Sequence, residues 1–245
     1  MMEIYLATLI GFLIGIIGTG LGGTLTIFLV NPNNKFLSML LGLTAGLMLS
    51  IITFDLMPEA ITLGGLTIVI IGIIFGIMLV LLIEDIFYKA NKKCKNMKEG
   101  FLKTGLLMGI GIALHNLPEG LAIGSGFMFT SDIGIKVGII IALHNIPEGM
   151  AMATPLRMSG FRKLKVIFLT LLAGIPTGIG AFLGAVLGNI SDIFIGLCLA
   201  IAAGTMLYII CGELIPNSKN IHKGRISTLG LSTGFILGLI LIECL

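Results

Sequence analysis

Runs of about twenty apolar residues recur along the whole chain, and no other feature narrows its possible folds so far. At 1.5 Å per residue, a helical run of that length crosses the roughly 30 Å hydrocarbon core of a bilayer. Eight such segments fall at about 4–30, 36–57, 64–87, 104–128, 135–156, 166–188, 192–215 and 226–244. Only 11% of the 245 residues are charged, against roughly 25% in a soluble domain of ordinary composition. Water is therefore not the main solvent of this surface. In lipid every backbone donor and acceptor must be paired within its own segment, which favours helices. The expected fold is an all-α integral membrane protein of eight transmembrane helices in a single domain over 1–245. The first segment starts directly after "MME", lacks a basic leader and outlasts a signal-peptide core, so it is read as a retained helix.

Charge placement predicts the orientation. The connections after the first, third, fifth and seventh segments hold 14 of the 15 basic residues: Lys35, the cluster within 88–103, Arg157 to Lys165, and Lys219 to Arg225. Lys136 alone lies on the other side. The positive-inside rule assigns these connections, including a lysine-rich loop at 88–103, to the cytoplasm and both termini to the extracellular or periplasmic side. The net charge of +3 is then a topology signal, and no nucleic-acid partner is expected. Glu3, Asp55, Glu59, Asp132, Asp192 and Glu243 gather toward the outer helix ends. Any one of them suits a solvated helix end; together they would form an acidic vestibule that concentrates cations. The four cysteines, Cys94, Cys198, Cys211 and Cys244, show no C-x-x-C spacing and read as small apolar fillers.

A repeat is hidden in the apolar runs. Residues 45–58 (AGLMLSIITFDLMP) and 203–216 (AGTMLYIICGELIP) share the pattern A-G-x-M-L-x-I-I-x-x-[D/E]-L-x-P. Leu and Ile identities are cheap in membrane helices; the matched Ala-Gly, Met, acid and Pro are not. The second and seventh segments cross in opposite directions, which makes this an inverted repeat, the arrangement in which many carriers build a midplane site. Under that symmetry segments 1–3 map onto 6–8, leaving segments 4 and 5 as a central pair in a 3+2+3 arrangement.

The central pair carries the polar residues that an apolar chain would otherwise avoid. Residues 115–120 read HNLPEG and 144–149 read HNIPEG. The spacing of four places His115 with Glu119, and His144 with Glu148, on one helix face about 6 Å apart along the axis. Asn116 and Asn145 point roughly 100° away, onto the adjacent stripe. Pro118 and Pro147 remove one backbone donor each and favour a kink, while Gly120 and Gly149 permit close approach. Ionisable groups at membrane depth cost a few kcal/mol or more each and mark function by default. Imidazole with carboxylate suits zinc and its borderline neighbours. For one copy alone, a His–Glu hydrogen bond stitching two helices is the competing reading; two copies on neighbouring helices favour a cation site.

These residues resemble the ZIP family of divalent metal transporters, and within it the prokaryotic ZupT/GufA-like members. The likeness rests on the paired H-N-x-P-E-G, on A-G-x-M-L…D-L-x-P and on E-L-I-P, and it spans all eight segments. It implies a metal path from an outer vestibule through a site between helices 4 and 5 to the cytoplasm. It also implies an elevator-like movement of helices 1, 4, 5 and 6 against 2, 3, 7 and 8. The metal residues it implies are His115, Glu119, His144 and Glu148, with Met48 as a soft neighbour that suits ordinary packing equally well. Asn116 and Asn145 would face a second position bridged by both glutamates, with Asp55 near the entrance and Glu213 near the exit. Where family members commonly carry Glu-Pro on helix 6, this chain has Ile175-Pro176, so the second position lacks the carboxylate that helix 6 would supply.

The expected activity is therefore transport of divalent transition metal into the cytoplasm, zinc first, with iron, manganese, cadmium or cobalt as further cargo. The ion is cargo and no cofactor is implied. The implied partners are the cation and the lipid of the cell membrane, and a homodimer is left open. An intramembrane metal-dependent hydrolase would need a carboxylate base free of the metal, and none remains in the helix cores once both glutamates are ligands. A proton-coupled carrier of an organic substrate would use the His/Glu pairs as a relay, and a non-transporting metal receptor would use them for binding alone.

Overall fold

The computed structural model describes residues 2–28, 33–90, 97–187 and 191–243, without the side chains of residues 87–90, Met97, Phe129, Ile133 and His144. All regular structure among them is helical: α1 (Met2–Phe28), α2 (Asn34–Ile51), α3 (Met57–Ala90), α4 (Met97–Phe129), α5 (Ser131–Met158), α6 (Lys163–Ala173), α7 (Ile175–Leu187), α8 (Asp192–Ile209), α9 (Ile215–Ile221) and α10 (Ile226–Glu243). Two π-helical turns, Ile52–Leu56 and Ile210–Leu214, join α2 to α3 and α8 to α9. Seven helical stretches among the described residues are long and apolar enough to cross a membrane.

One of those stretches, Asn34–Ile86, is 53 residues long, about 80 Å at helical rise and far more than one bilayer core. It is interrupted at Gly65, whose φ of 75° and ψ of 160° lie outside helical space. Only a residue without a Cβ takes that conformation freely. Helical geometry thus continues past 57, where the sequence suggests an end, because Pro58 follows the π turn and does not stop the helix. The lysine-rich connection is also shorter than 88–103, with α3 reaching Ala90 and α4 starting at Met97. Lys92, Lys93, Cys94 and Lys95 lie outside the described residues.

The sequence explains how these helices pack. Along α1, Leu9, Leu13, Ile17, Leu21 and Leu25 recur every fourth residue and form an exposed apolar stripe, as lipid contact requires. The small residues Gly11, Gly15, Gly18 and Gly22 recur on the buried side, where α5 and α7 lie close. Two groups of helices result. α3 lies along α8, and α10 along α2; α1, α4, α5, α6 and α7 pack among themselves, joined to the first group chiefly through α4–α8 and α2–α5.

The two groups carry matched features. The π turns occupy the same place in the two copies of A-G-x-M-L, just before the shared proline, with Met57 N bonding Ile52 O and Ile215 N bonding Ile210 O. A proline ring crowds the carbonyl four residues back, and a widened turn relieves that crowding. A second pair of equivalent segments, Thr19-Gly-Leu-Gly22 and Thr177-Gly-Ile-Gly180, has the same separation as the A-G-x-M-L copies. A Cβ at Gly149 would collide with the Thr19 carbonyl, and one at Gly120 with the Thr177 carbonyl. So α1 meets α5 as α7 meets α4, backbone against backbone at the last residue of each H-N-x-P-E-G.

Candidate metal centre

α4 and α5 run side by side, each with one H-N-x-P-E-G copy inside continuous helix; Pro118 and Pro147 do not end either element. Helical spacing stacks His115 over Glu119 on α4. Across from them, His115 Nε2 lies 2.9 Å from Glu148 Oε2, with both side chains fully buried. The two atoms are close but not aligned as a hydrogen bond. One ligand atom from each of His115, Glu119 and Glu148 falls within 4.8 Å of the others. Tetrahedral zinc with bonds of about 2.0–2.2 Å sets its ligand atoms roughly 3.3–3.6 Å apart. The three would draw together by up to about 1.5 Å to close on one ion.

The energetics point the same way. Glu119 is 1% exposed and Glu148 0%, and neither oxygen of Glu148 receives a hydrogen bond. Each buried acceptor left without a donor costs roughly 1–3 kcal/mol, more when charged. A dication between the two carboxylates would cancel both charges and fill the empty lone pairs. The backbone of His144 lies in α5 one turn from Glu148; its side chain is not among those described.

Beside this centre lies a set of neutral polar atoms. The sixth apolar segment is broken at Gly174, between α6 and α7, next to Pro176. At the break, Asn116 Nδ2 donates to the carbonyl of Ala173 at 2.9 Å, leaving Asn116 Oδ1 buried without a donor. Asn145 is wholly buried with neither amide atom paired. Thr19 satisfies its hydroxyl on the Gly15 carbonyl at 2.7 Å. Its counterpart Thr177, whose corresponding carbonyl is the one Asn116 uses, leaves Oγ1 bare. Asn145 and Thr177 lean on α1 at Gly18 and Gly15, one turn apart. Ile175, half-buried, opens α7. The T-G-[L/I]-G repeat is the sequence signal that singles out Thr177, and it is easily lost among glycines.

The remaining expected residues sit on either side of the centre. Asp55 projects from the first π turn and lines a cavity of about 30 Å³ with Glu59 and Glu119. Glu213 projects from the second, where its Oε2 accepts from Thr104 Oγ1 at 2.9 Å and Asn217 Nδ2 at 3.0 Å. It borders a cavity of about 460 Å³ shared with Asn34, Lys103 and Asn220. Glu59 and Asn217 each follow their acid by one helical turn. Met48, 1% exposed, packs in the apolar core with Met108, Ile112 and Met152.

Comparison with known proteins places this geometry in context. The family model for the ZIP zinc transporter matches residues 89–242. The chain is 31% identical over 236 residues to the zinc transporter ZupT of Corynebacterium aurimucosum, covering 89% of each chain. It is 28% identical to the zinc transporter ZupT of Clostridium perfringens, over 97% of this chain and 95% of the relative. It is 34% identical over 142 residues to the zinc transporter GufA of Myxococcus xanthus, covering 56% of this chain and 55% of the relative.

Proposed function

Because the chain belongs to the ZIP zinc transporter family, whose members are transporters and not enzymes, we propose that it carries divalent transition metal into the cytoplasm through the centre between α4 and α5. The observation that carries this reading is the convergence of His115, Glu119 and Glu148 within 4.8 Å at positions sealed from solvent. Two carboxylates neutralise a dication, and the neutral complex avoids most of the several kcal/mol that each buried ion would cost alone. A monovalent cation would leave one carboxylate uncompensated. Nitrogen with oxygen donors favours zinc, with iron, manganese, cobalt and cadmium as weaker cargo.

In this reading the break at Gly65 is a turn between two crossings, which gives eight crossings in a 3+2+3 inverted repeat. The termini and the Asp55 cavity face outward, in the cell membrane, and the lysine-rich end faces the cytoplasm. Cations collect at Asp55 and Glu59, bind at His115, Glu119, His144 and Glu148, and leave past Glu213. With no carboxylate at Ile175, the position near Asn116 and Asn145 holds cations weakly, so one tight ion is carried per chain. Of the Asp55 and Glu213 cavities, the second is the larger, and the first reaches Glu119. The division into α1, α4–α7 and α2, α3, α8–α10 supports an elevator movement of α1 and α4–α7.

The test is metal influx into proteoliposomes loaded with a fluorescent chelator, offered zinc, cadmium, iron(II) and manganese in turn. Saturable influx, fastest for zinc, is the expected result. Vesicles containing folded protein that admit no metal beyond the protein-free leak would reject the reading.

A further inference from the structure

The mouth of the larger cavity contains a cation already. Lys103 Nζ stands 3.4 Å from Glu84 Oε1, with both side chains about a quarter exposed, at 21% and 28%. The other oxygen of Glu84 accepts from Tyr208 Oη at 2.5 Å. The charge of Lys103 also reaches Glu213, as does that of Glu84, and the charges of Asp85 and Glu213 reach Tyr208. An ammonium therefore sits between two carboxylates, Glu84 and Glu213, beside the larger cavity.

The lysine is tied to the moving parts of the protein. Lys103 and Thr104 are consecutive residues of α4, the helix that carries His115 and Glu119. Lys103 pairs with Glu84 on α3, and Thr104 bonds Glu213 in the second π turn. Both acids belong to the other helix group. Lys103 precedes His115 by twelve residues, about 18 Å along the helix axis. The same rigid element thus delivers the metal centre and sets the ammonium against the exit acids.

We propose that Lys103 is a tethered counter-cation: it competes with the outgoing metal ion for Glu84 and Glu213 and so prevents these acids from retaining it. This rests on the transport reading for its purpose, but the competition itself is a binding equilibrium. An ammonium a few ångströms from a carboxylate at a protein surface weakens a rival cation by about tenfold, enough to turn a retaining acid cluster into a releasing one. Glu84 becomes, by the same reasoning, a cation ligand whenever the lysine is absent.

The test is a zinc titration by calorimetry of the purified full-length protein, comparing the unmodified chain with Lys103→Met, Lys103→Arg and the double variant Lys103→Met/Glu84→Gln. Lys103→Met keeps the length and apolar stem of the side chain, so packing is preserved. The expected result is a class of weak sites that tightens about tenfold in Lys103→Met, stays as in the unmodified protein in Lys103→Arg, and weakens again in the double variant. Identical titrations for Lys103→Met and the unmodified chain would overturn the proposal, as would a gain that survives Glu84→Gln. A failure of influx in vesicles would count against transport only and would leave this titration to decide the role of Lys103.

Discussion

His115 on α4 and Glu148 on α5 approach to 2.9 Å between Nε2 and Oε2 with no solvent reaching either side chain. This contact joins the two H-N-x-P-E-G copies into one centre. A structural ion pair would be aligned and hydrogen-bonded throughout; here both Glu148 oxygens lack a donor. The protein thus holds a costly arrangement, and bound metal would relieve it.

That cost is measurable as stability. Glu148→Gln removes a buried charge and should leave the metal-free protein as stable as the unmodified chain, or up to about 3 kcal/mol more stable. The same variant should lose the thermal stabilisation that zinc confers on the unmodified protein, which at a hundredfold excess over Kd is about 2.7 kcal/mol. Thermal unfolding in detergent, with zinc and with chelator, checks both.

Close backbone contact at Gly120 and Gly149 makes a matched pair of predictions. Gly120→Ala and Gly149→Ala each force a methyl group onto a threonine carbonyl and should destabilise by about 1–3 kcal/mol. Gly100, also in α4, has open space where its Cβ would be; Gly100→Ala should be neutral or stabilise by up to about 1 kcal/mol. Denaturation midpoints of the three variants test whether the two helix pairs are equivalent.

The missing carboxylate on α7 can be restored. Ile175→Glu places an acid at the start of α7, next to the break where Asn116 meets Ala173. The number of tightly bound zinc ions per chain, by equilibrium dialysis and elemental analysis, should rise from one to two. The metal-free variant should unfold at lower temperature because of the added buried charge.

Asp55 and Glu213 should fail in different ways. If the proposed path holds, Asp55→Asn should weaken capture at the entrance: the apparent KM for influx should rise by about 3- to 10-fold with Vmax little changed, and the effect should shrink at high ionic strength. Glu213→Gln, placed after the centre on the same proposed path, should lower Vmax more than it changes KM. Initial rates over a range of zinc concentrations separate the two.

Several features of this architecture can be read directly in the sequence. Apolar run length specifies membrane-spanning helices, because lipid offers the backbone no partners. The i, i+4 spacing brings His115 and Glu119 to one face, and the doubled motif on adjacent helices brings Glu148 to meet them. Other features depend on backbone geometry that composition does not encode. The break at Gly65 looks in sequence like one more glycine in a glycine-rich chain, while Pro58, a common helix breaker, is accommodated by a π turn. The break at Gly174 is similar: Pro176 marks it, but the capture of the Ala173 carbonyl by Asn116 and the stranding of Thr177 Oγ1 arise only from packing. The Lys103–Glu84 contact joins residues from separate helices, and no local pattern announces it.

The most direct test of the central claim is zinc influx through Glu148→Ala and His115→Ala in chelator-loaded proteoliposomes, with helical content and incorporation matched to the unmodified protein. Influx falling to the protein-free leak in both variants is the predicted result. Influx at the unmodified rate in either variant would contradict it, because the cation would then be crossing without the centre that α4 and α5 build.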